Sequence, residues 1–333
     1  MKWFLTLFLL VFLLACQKKD NSQRAFYYWK SQLELSPKDS IFLKQLNCKR
    51  LYIKYFDVDF DADRQQILPI ARIVFPEKIP NFHVVPCVYI TVAAVKNLKK
   101  NQIDNLAQKI LKKIRAINQK NKLQVAEIQI DCDWTDSTKE NYFGLLEVLQ
   151  KNNKTLISAT LRLHQVKYAK KRGIPPVKKA LLMCYNVESV KKYESPNSIF
   201  QVELIKNYLQ KLENYPLALD VALPVFSWGV VFTENKQFGG LLNELHQKDL
   251  PDSLFSAEGN FYTARKDLYL KNKFLKKDTQ IRLEKTQSTE IEEVSKFIST
   301  KIRPQNVILF HFSPALFDNY QEDELEKIYE HFD

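Results

Sequence analysis

The chain has 333 residues, of which 45% are hydrophobic and 26% are charged, and Lys and Arg outnumber Asp and Glu by 50 to 38. This composition is that of a folded globular protein and excludes a collagen, a coiled coil or a long disordered chain. Only six residues are Gly, and neither the dinucleotide-binding pattern G-x-G-x-x-G nor the P-loop pattern occurs, so the sequence predicts no cofactor.

The N-terminal segment has the features of an export signal. A single Lys precedes an apolar run over residues 3–15, which is shorter than the roughly 20 residues of a membrane-spanning helix. The run ends in LLAC, which resembles the bacterial lipobox, the motif whose Cys is lipidated and becomes the first residue of the mature chain. The resemblance implies a signal peptide over residues 1–15, a lipid anchor on Cys16 and a polar tether over residues 16–24.

Residue 17 is Gln rather than Asp, which by resemblance to the sorting rules of Gram-negative bacteria permits delivery to the outer membrane. We therefore expect a lipid-anchored protein of the bacterial cell envelope; the alternative is a plain signal peptide or an anchoring helix that ends in Cys. The net charge of +12 is spread along the chain without an arginine-rich arm, so nucleic acid is not an expected partner. The excess Lys fits solvated helix faces, or attraction to anionic lipids or anionic glycans.

Four cysteines follow this segment, and they are Cys48, Cys87, Cys132 and Cys184. An exported protein could join them in disulfides, but the last three lie in apolar, strand-like runs, where Cys acts as a small buried hydrophobe. No C-x-x-C pattern and no spacing of a metal-binding loop occurs, so the sequence predicts no metal site.

Eight apolar runs rich in β-branched and aromatic residues recur along the rest of the chain, at lengths typical of strands. They are residues 25–30, 50–58, 83–92, 126–134, 155–164, 179–187, 217–226 and 306–312. Helical periodicity separates them, for example over residues 101–118, 138–151 and 198–213. Eight strands that alternate with helices predict an α/β fold, a single (β/α)8 barrel over residues 25–333; a doubly wound sheet or two smaller α/β domains are the alternatives.

The widest gap between predicted strands spans residues 229–305. It carries the strand-like stretches FYTARKDLYL and TQIRLEK and a predicted helix near residues 289–301. Because the gap follows the seventh strand, we expect it to form an elaboration over one mouth of the barrel.

The fourth predicted strand contains the sequence EIQIDCDWTD, residues 127–136. Alternate residues of a strand share a face, so its polar set points away from its apolar set. The polar set is Glu127, Gln129, Asp131 and Asp133. In a barrel the apolar side chains would pack against the helices. The polar side chains would point into the barrel, and the last of them would lie at its C-terminal mouth. Two neighbouring carboxylates at a mouth shift each other's pKa and are costly to bury, so Asp131 and Asp133 indicate a functional site.

Asp131-x-Asp133 resembles the D-x-D-x-E motif on the fourth strand of the glycoside hydrolase family 18 barrels, which are chitinase-like. Further similarities follow in the same order: residues 141–146 resemble the next helix, residues 155–161 the fifth strand, MCYN at 183–186 the motif M-x-Y-[DN], and LPVF at 223–226 the motif L-P-x-[YF]. The first and fourth strands also resemble a group of bacterial barrels of unknown function. The resemblance covers most of the mature chain and implies a (β/α)8 barrel with a glycan ligand.

Position 135 departs from the family motif. The family places its general acid, a Glu, two residues after the second Asp, and here that residue is Thr135. Threonine cannot protonate a leaving glycosidic oxygen at neutral pH. In that family the substrate's own N-acetyl group attacks, held by an Asp and a Tyr whose positions match Asp133 and Tyr185. The resemblance therefore implies catalytic positions at Asp131, Asp133 and Tyr185 without the family's acid.

Other residues could complete the site. Hydrolysis of a glycoside generally needs two carboxyl groups that flank the bond, roughly 5–10 Å apart. Asp57 or Asp59 at the end of the second strand could supply one, although turn formation would equally explain Asp59. His164 and His311 are further candidates, or packing residues. Aromatic platforms for sugar rings, or packing residues of the barrel, are expected near the strand ends. They are Trp29, Tyr185, Phe226, Trp228 and Phe312, and Asn186 of the M-x-Y-[DN] motif is a further candidate contact.

Three functions remain open. The first is a glycosidase-like barrel that acts on a glycan, with Asp131 or Asp133 as nucleophile, base or stabiliser and an acid from elsewhere. The second is a non-catalytic barrel that binds a glycan or a partner protein. The third is a structural envelope lipoprotein, in which the acids are remnants or hold Ca²⁺ or Mg²⁺.

Overall fold

The structure is a computed structural model, and it describes residues 21–77, 79, 81–314 and 316–333. The signal peptide of residues 1–15, the lipidated Cys16 and most of the tether lie outside the described residues. Within the part that is described, no helix is long and apolar enough to cross a membrane.

The strands before the insertion are β1 (Gln23–Tyr28), β2 (Arg50–Asp61), β3 (Gln66–Ile70), β4 (His83–Ile90), β5 (Glu127–Asp131), β6 (Leu156–Arg162), β7 (Lys179–Met183) and β8 (Ala218–Pro224). The insertion carries β9 (Ser227–Phe232), β10 (Phe238–Asn243), β11 (Phe255–Glu258), β12 (Phe261–Ala264), β13 (Leu268–Leu270), β14 (Lys273–Leu275) and β15 (Gln280–Lys285), and β16 (Asn306–Phe310) follows it. The helices are α1 (Pro37–Gln45), α2 (Val92–Asn97), α3 (Ile103–Lys120), α4 (Lys139–Lys151), α5 (Leu163–Lys167), α6 (Ala169–Arg172), α7 (Val202–Tyr208), α8 (Ser288–Ser299), α9 (Leu316–Asn319) and α10 (Glu322–Glu330).

Eight parallel strands close into a barrel. They pair in chain order as β1, β2, β4, β5, β6, β7, β8 and β16, and β16 pairs with β1 to close the ring, while β3 forms an antiparallel hairpin with β2. Each of these eight strands overlaps one of the eight predicted runs, so the predicted (β/α)8 barrel is confirmed. The helices cover its outer face because their apolar stripes, such as Leu106, Ile110 and Ile114 of α3, are buried against it.

Several predicted boundaries differ from the observed ones. β1 begins at Gln23, whose N–H donates a 2.8 Å hydrogen bond to the carbonyl of Gln305, so the last two residues of the predicted tether belong to the barrel. The helix predicted over residues 198–213 is shorter, because α7 ends at Tyr208 and only a 3₁₀ turn, Leu212–Asn214, follows it. The four cysteines after the signal segment are buried and unpaired.

The insertion forms a small antiparallel sheet of its own between β8 and β16. Its strand order is β10, β9, β15, β12, β11, and β13 and β14 form a separate hairpin. A second, smaller core includes Leu245, Phe255 and Ile281. The predicted elaboration over residues 229–305 is therefore shorter at its end, because α8 is an outer helix of the barrel, with Ile291 and Val294 in the main core.

A buried ion cluster fills the N-terminal half of the barrel, at the opposite end from the mouth. The Nζ of Lys179 lies 2.8 Å from Oε2 of Glu127 and 2.8 Å from Oδ2 of Asp220. Ser158 donates to the other oxygen of Glu127 at 2.7 Å, and the backbone N–H of Asn306 donates to Asp220 at 2.9 Å. Burial alone would lower the pKa of Lys179, but the Asp220 and Glu127 carboxylates outweigh it and raise this pKa. Lys179 is therefore charged at neutral pH.

Candidate functional site

The polar face of β5 points into the barrel, as predicted. Gln129 accepts a hydrogen bond from the hydroxyl of Tyr27, and Asp131 accepts one from the hydroxyl of Thr160 at 2.6 Å. On the opposite face, Trp134 stacks on Tyr142 of α4 with ring centroids 5.2 Å apart. The alternation of the strand therefore separates the helix-packing side chains from those that reach the mouth.

Asp131 is the buried carboxyl of this strand. Burial is the main reason that the pKa of Asp131 is raised to about 7, and the neighbouring carboxylate of Asp133 adds to the effect. The hydrogen bond from Thr160 and the charge of Arg162 act in the opposite direction, and Asp57 raises the pKa slightly further. Near neutral pH this carboxyl is therefore able both to give and to accept a proton.

Asp133 lies two residues beyond the end of β5 and is paired with a cation. Nη1 of Arg162 lies 3.0 Å from Oδ1 of Asp133, and Nη2 of Arg162 donates to the carbonyl of Asn186 at 3.0 Å. Arg162 ends β6, so the guanidinium is fixed between two strand ends. It balances the charge of Asp133, which leaves this carboxylate less suited to stabilise a positive charge on a substrate.

Thr135 supplies a turn instead of an acid. Its side chain is exposed, and its hydroxyl lies 3.0 Å from the hydroxyl of Ser137. Its backbone N–H donates to the hydroxyl of Thr138 at 2.9 Å. Position 135 therefore shapes the turn into α4.

Asp57 lies on the same level of the barrel as Asp131. The strand register places Asp57 beside Tyr89 of β4, and Tyr89 beside Asp131. One Asp57 oxygen accepts from Nζ of Lys54 at 3.2 Å, whereas the other is buried without a hydrogen-bond partner among the described residues. Asp57 therefore forms, with Asp131 and Asp133, an acidic group at the mouth.

Asp59 and His164 lie apart from this group. Thr91 donates its hydroxyl to Asp59 at 2.6 Å and caps α2 by accepting from the N–H of Ala94 at 3.1 Å, so Asp59 fixes a helix start. His164 lies in the first turn of α5, where burial and then the charge of Arg162 lower its pKa. Neither residue lines the cleft described next.

A cleft of about 450 Å³ opens at the mouth between the ends of β1, β8 and β16 and the insertion. Its aromatic lining is Trp29, Phe226, Trp228 and Phe310, and Asn186 also borders it. The rings form one connected surface, with centroids 5.3 Å apart for Phe226 and Trp228 and 5.8 Å apart for Trp29 and Phe310. The predicted contacts Trp29, Asn186, Phe226 and Trp228 are thus brought together.

Tyr185 joins the cleft to the acidic strand. Its ring centroid lies 5.1 Å from that of Phe310, a cleft residue. Burial first, and then the charge of Asp131, raise the pKa of Tyr185 well above its usual value. Phe312 does not line the cleft, because the chain leaves the strand after Phe310 and the ring of Phe312 packs on Phe26 at 5.5 Å.

No protein-family model matches the chain, and no curated protein matches it. Among solved structures, the spore cortex-lytic enzyme SleL of Bacillus cereus is similar with a TM-score of 0.57 and 12% identity, over 95% of this chain and 75% of that one. A chitinase of Chromobacterium violaceum gives 0.54 and 9% identity, over 92% and 98% of the two chains. The chitinase-like agglutinin RobpsCRA of Robinia pseudoacacia gives 0.53 and 12% identity, over 93% and 99%.

The chain has the fold of the chitinase-like barrels. The resemblance inferred from the strand motifs is therefore confirmed for the fold.

The insertion brings a carboxylate to the mouth that the sequence did not reveal. Glu244 follows β10 and borders the cleft, with its Oε1 3.6 Å from Nζ of Lys30 and 3.9 Å from Nε2 of His311. Burial lowers the pKa of His311 although the Glu244 carboxylate acts in the opposite direction. No sequence motif marks Glu244, since this residue reaches the cleft only when the insertion folds over the mouth.

A buried pair on β15 joins the insertion to the loop after β7. Oε2 of Glu284 accepts hydrogen bonds from Nε1 of Trp228 at 2.7 Å and from the N–H of Ser198 at 2.9 Å. Arg282 donates to the other oxygen of Glu284 at 2.6 Å and to the carbonyl of Tyr193 at 2.6 Å. This Arg282–Glu284 junction therefore fixes the Trp228 wall of the cleft.

The acidic group at the mouth consists of Asp57, Asp131 and Asp133. Within the described residues, no group of three or more His, Cys, Asp or Glu side chains is arranged to hold a metal ion.

Proposed function

We propose that the protein binds a glycan in the cleft at the barrel mouth. The observation that carries the proposal is the connected surface of four aromatic rings, which borders polar groups of Asn186 and Glu244. The C–H faces of sugar rings pack on such surfaces, while their hydroxyls need hydrogen-bond partners beside them. The names of two structural neighbours, a chitinase and a chitinase-like agglutinin, are consistent with a carbohydrate ligand.

The site is better suited to binding a glycan than to hydrolysing one by the mechanism of family 18. Thr135 replaces the acid and is engaged in a turn, and the charge of Asp133 is balanced by Arg162 at 3.0 Å. Hydrolysis of this kind requires a protonated acid beside the scissile bond and a free carboxylate.

Trp29→Ala should weaken the binding of a tetramer of N-acetylglucosamine by about 5- to 30-fold, because the loss of one stacking ring costs about 1–2 kcal/mol. Isothermal titration calorimetry measures the dissociation constant. Tyr168→Ala is the matched control, since Tyr168 is 48% exposed and lies outside the cleft. Equal affinity for wild type and Trp29→Ala, with both proteins folded, would contradict the proposal.

Hydrolysis is the second candidate, and two observations favour it. The pKa of Asp131, on the acidic strand, is raised to about 7, and a different carboxylate, Glu244, lines the cleft. Such a pair would supply an acid and a base from positions that the family does not use. Shorter sugars in the mixture after incubation with the tetramer would establish hydrolysis and replace the binding proposal.

We also propose that Cys16 carries the lipid anchor and holds the protein in the bacterial cell envelope, at the outer membrane. The LLAC sequence supports this placement. Cys16→Ala should lose labelling by radioactive palmitate and move from the membrane to the soluble fraction. Cys48→Ala is the control, because Cys48 is a buried thiol of the barrel. Membrane retention and labelling of the Cys16→Ala protein would refute the anchor.

A further inference from the structure

The β13–β14 hairpin presents an aromatic pair to solvent. Tyr269 and Phe274 lie directly opposite each other with ring centroids 5.2 Å apart. Tyr269 is 74% exposed and Phe274 is 46% exposed. The opposite face of the hairpin, with Leu268 and Leu275, packs on the core of the insertion. Packing inside the protein therefore accounts for the apolar side chains of Leu268 and Leu275, but not for the exposed rings of Tyr269 and Phe274.

Basic residues surround this pair. Residues 265–278 contain six basic and two acidic residues. Lys266, Lys276 and Lys277 are exposed, and none has an ion-pair partner among the residues that the structure describes. The surface thus combines two exposed rings with unpaired positive charge, which complements an anionic partner.

The hairpin is continuous with the cleft. At its tip, Nζ of Lys271 donates a hydrogen bond to the carbonyl of Glu244 and lies 3.6 Å from Oδ2 of Asp249. Glu244 itself borders the cleft. A polymer whose end occupies the cleft, and which extends from Glu244 past Lys271, would therefore reach the aromatic pair.

We propose that the hairpin is a second contact surface for a long glycan that carries carboxylate groups, with the rings of Tyr269 and Phe274 against sugar faces and the Lys side chains near the carboxylates. The proposal rests on glycan binding in the cleft. A bilayer is the less suitable partner, because the chain from Cys16 enters at Gln23, at the N-terminal end of β1, whereas the insertion follows the C-terminal end of β8. Gln23 and the start of the insertion at Ser227 thus lie at opposite ends of the parallel barrel.

Cosedimentation with murein sacculi tests the proposal, with amidated sacculi, whose carboxylates are neutralised, as the matched ligand. The full mature chain should bind native sacculi, more weakly as salt rises, and amidated sacculi at least about tenfold more weakly. The double variant Tyr269→Ala/Phe274→Ala and the triple variant Lys266→Gln/Lys276→Gln/Lys277→Gln should each bind native sacculi about tenfold more weakly. Lys99→Gln/Lys100→Gln/Lys112→Gln, which neutralises three exposed Lys elsewhere, should bind as the wild type does.

The same set of proteins separates this surface from the cleft. The hairpin variants should bind the N-acetylglucosamine tetramer as the wild type does, which also shows that they are folded. Sacculus binding that depends on the hairpin, without any binding of the tetramer, would uphold this inference and refute the cleft. Sacculus binding that is unchanged in both hairpin variants would overturn the inference. So would hairpin-dependent binding to vesicles of phosphatidylethanolamine and phosphatidylglycerol in the absence of sacculus binding.

Discussion

Lys179→Met should lower the free energy of unfolding by about 3–5 kcal/mol, the range expected when one partner of a buried ion pair is removed. The ammonium of Lys179 lies 2.8 Å from carboxylates of both Glu127 and Asp220, and all three side chains are buried. Met fills a similar volume but leaves Asp220 without its counter-charge, and Glu127 keeps only Arg50, whose Nη1 lies 3.8 Å from its Oε2. Urea unfolding at pH 7, followed by circular dichroism, measures the change.

Two controls distinguish loss of charge balance from loss of packing. The triple variant Glu127→Gln/Lys179→Met/Asp220→Asn removes the uncompensated charges and should recover much of the lost stability. Lys206 bridges two carboxylates on the surface, Glu203 at 3.4 Å and Glu293, and Lys206→Met should leave stability nearly unchanged. If Lys179→Met is no more harmful than Lys206→Met, the buried cluster does not stabilise the barrel in the way described.

Asp131→Asn should stabilise the protein at alkaline pH and have little effect at acidic pH. The pKa of Asp131 is raised to about 7 in the folded protein, chiefly by burial, above the value of about 3.9 in an unfolded chain. Below pH 4 both states hold the proton. As the pH rises to 7, the unfolded chain ionises while the folded protein does not, so this group increasingly favours unfolding.

The expected difference is therefore roughly 2–4 kcal/mol in favour of Asp131→Asn at pH 8, and under about 1 kcal/mol at pH 4.5. Urea unfolding of both proteins between pH 4.5 and pH 8.5 measures the slopes. Asp136→Asn is the matched control, because a hydrogen bond from Arg172 lowers the pKa of Asp136 and moves its titration below this range. Parallel slopes for wild type and Asp131→Asn would show that Asp131 is already ionised in the folded protein.

The barrel could be predicted from the sequence because its strands are buried on both faces. Such strands are short, apolar and rich in β-branched residues, so β7 and β16 are recognisable without any tertiary information. The mouth acids followed from the same local rule, since alternation places Asp131 and Asp133 on one side of β5. The confirmed features are those that depend on neighbours in the chain.

The rest of the site depends on contacts between distant segments. Arg162 pairs with Asp133 across two strands, and Glu244 reaches the cleft only because the insertion folds back over the mouth. Nothing in the residues around either position signals its partner. Phe312 shows the converse, because the predicted strand ran two residues past Phe310 and so placed at the mouth a ring that packs on Phe26 and Phe317.

The Arg282–Glu284 junction has a consequence for redesign of the barrel. If residues 227–285 were excised, the N–H and hydroxyl of Ser198 and the carbonyl of Tyr193 would lose the partners that now bury them. Conversely, transplanting the insertion alone onto another barrel would leave Arg282 with unmet donors. The insertion and the loop of residues 192–198 therefore form a single exchangeable module, and a chimera should carry both or neither.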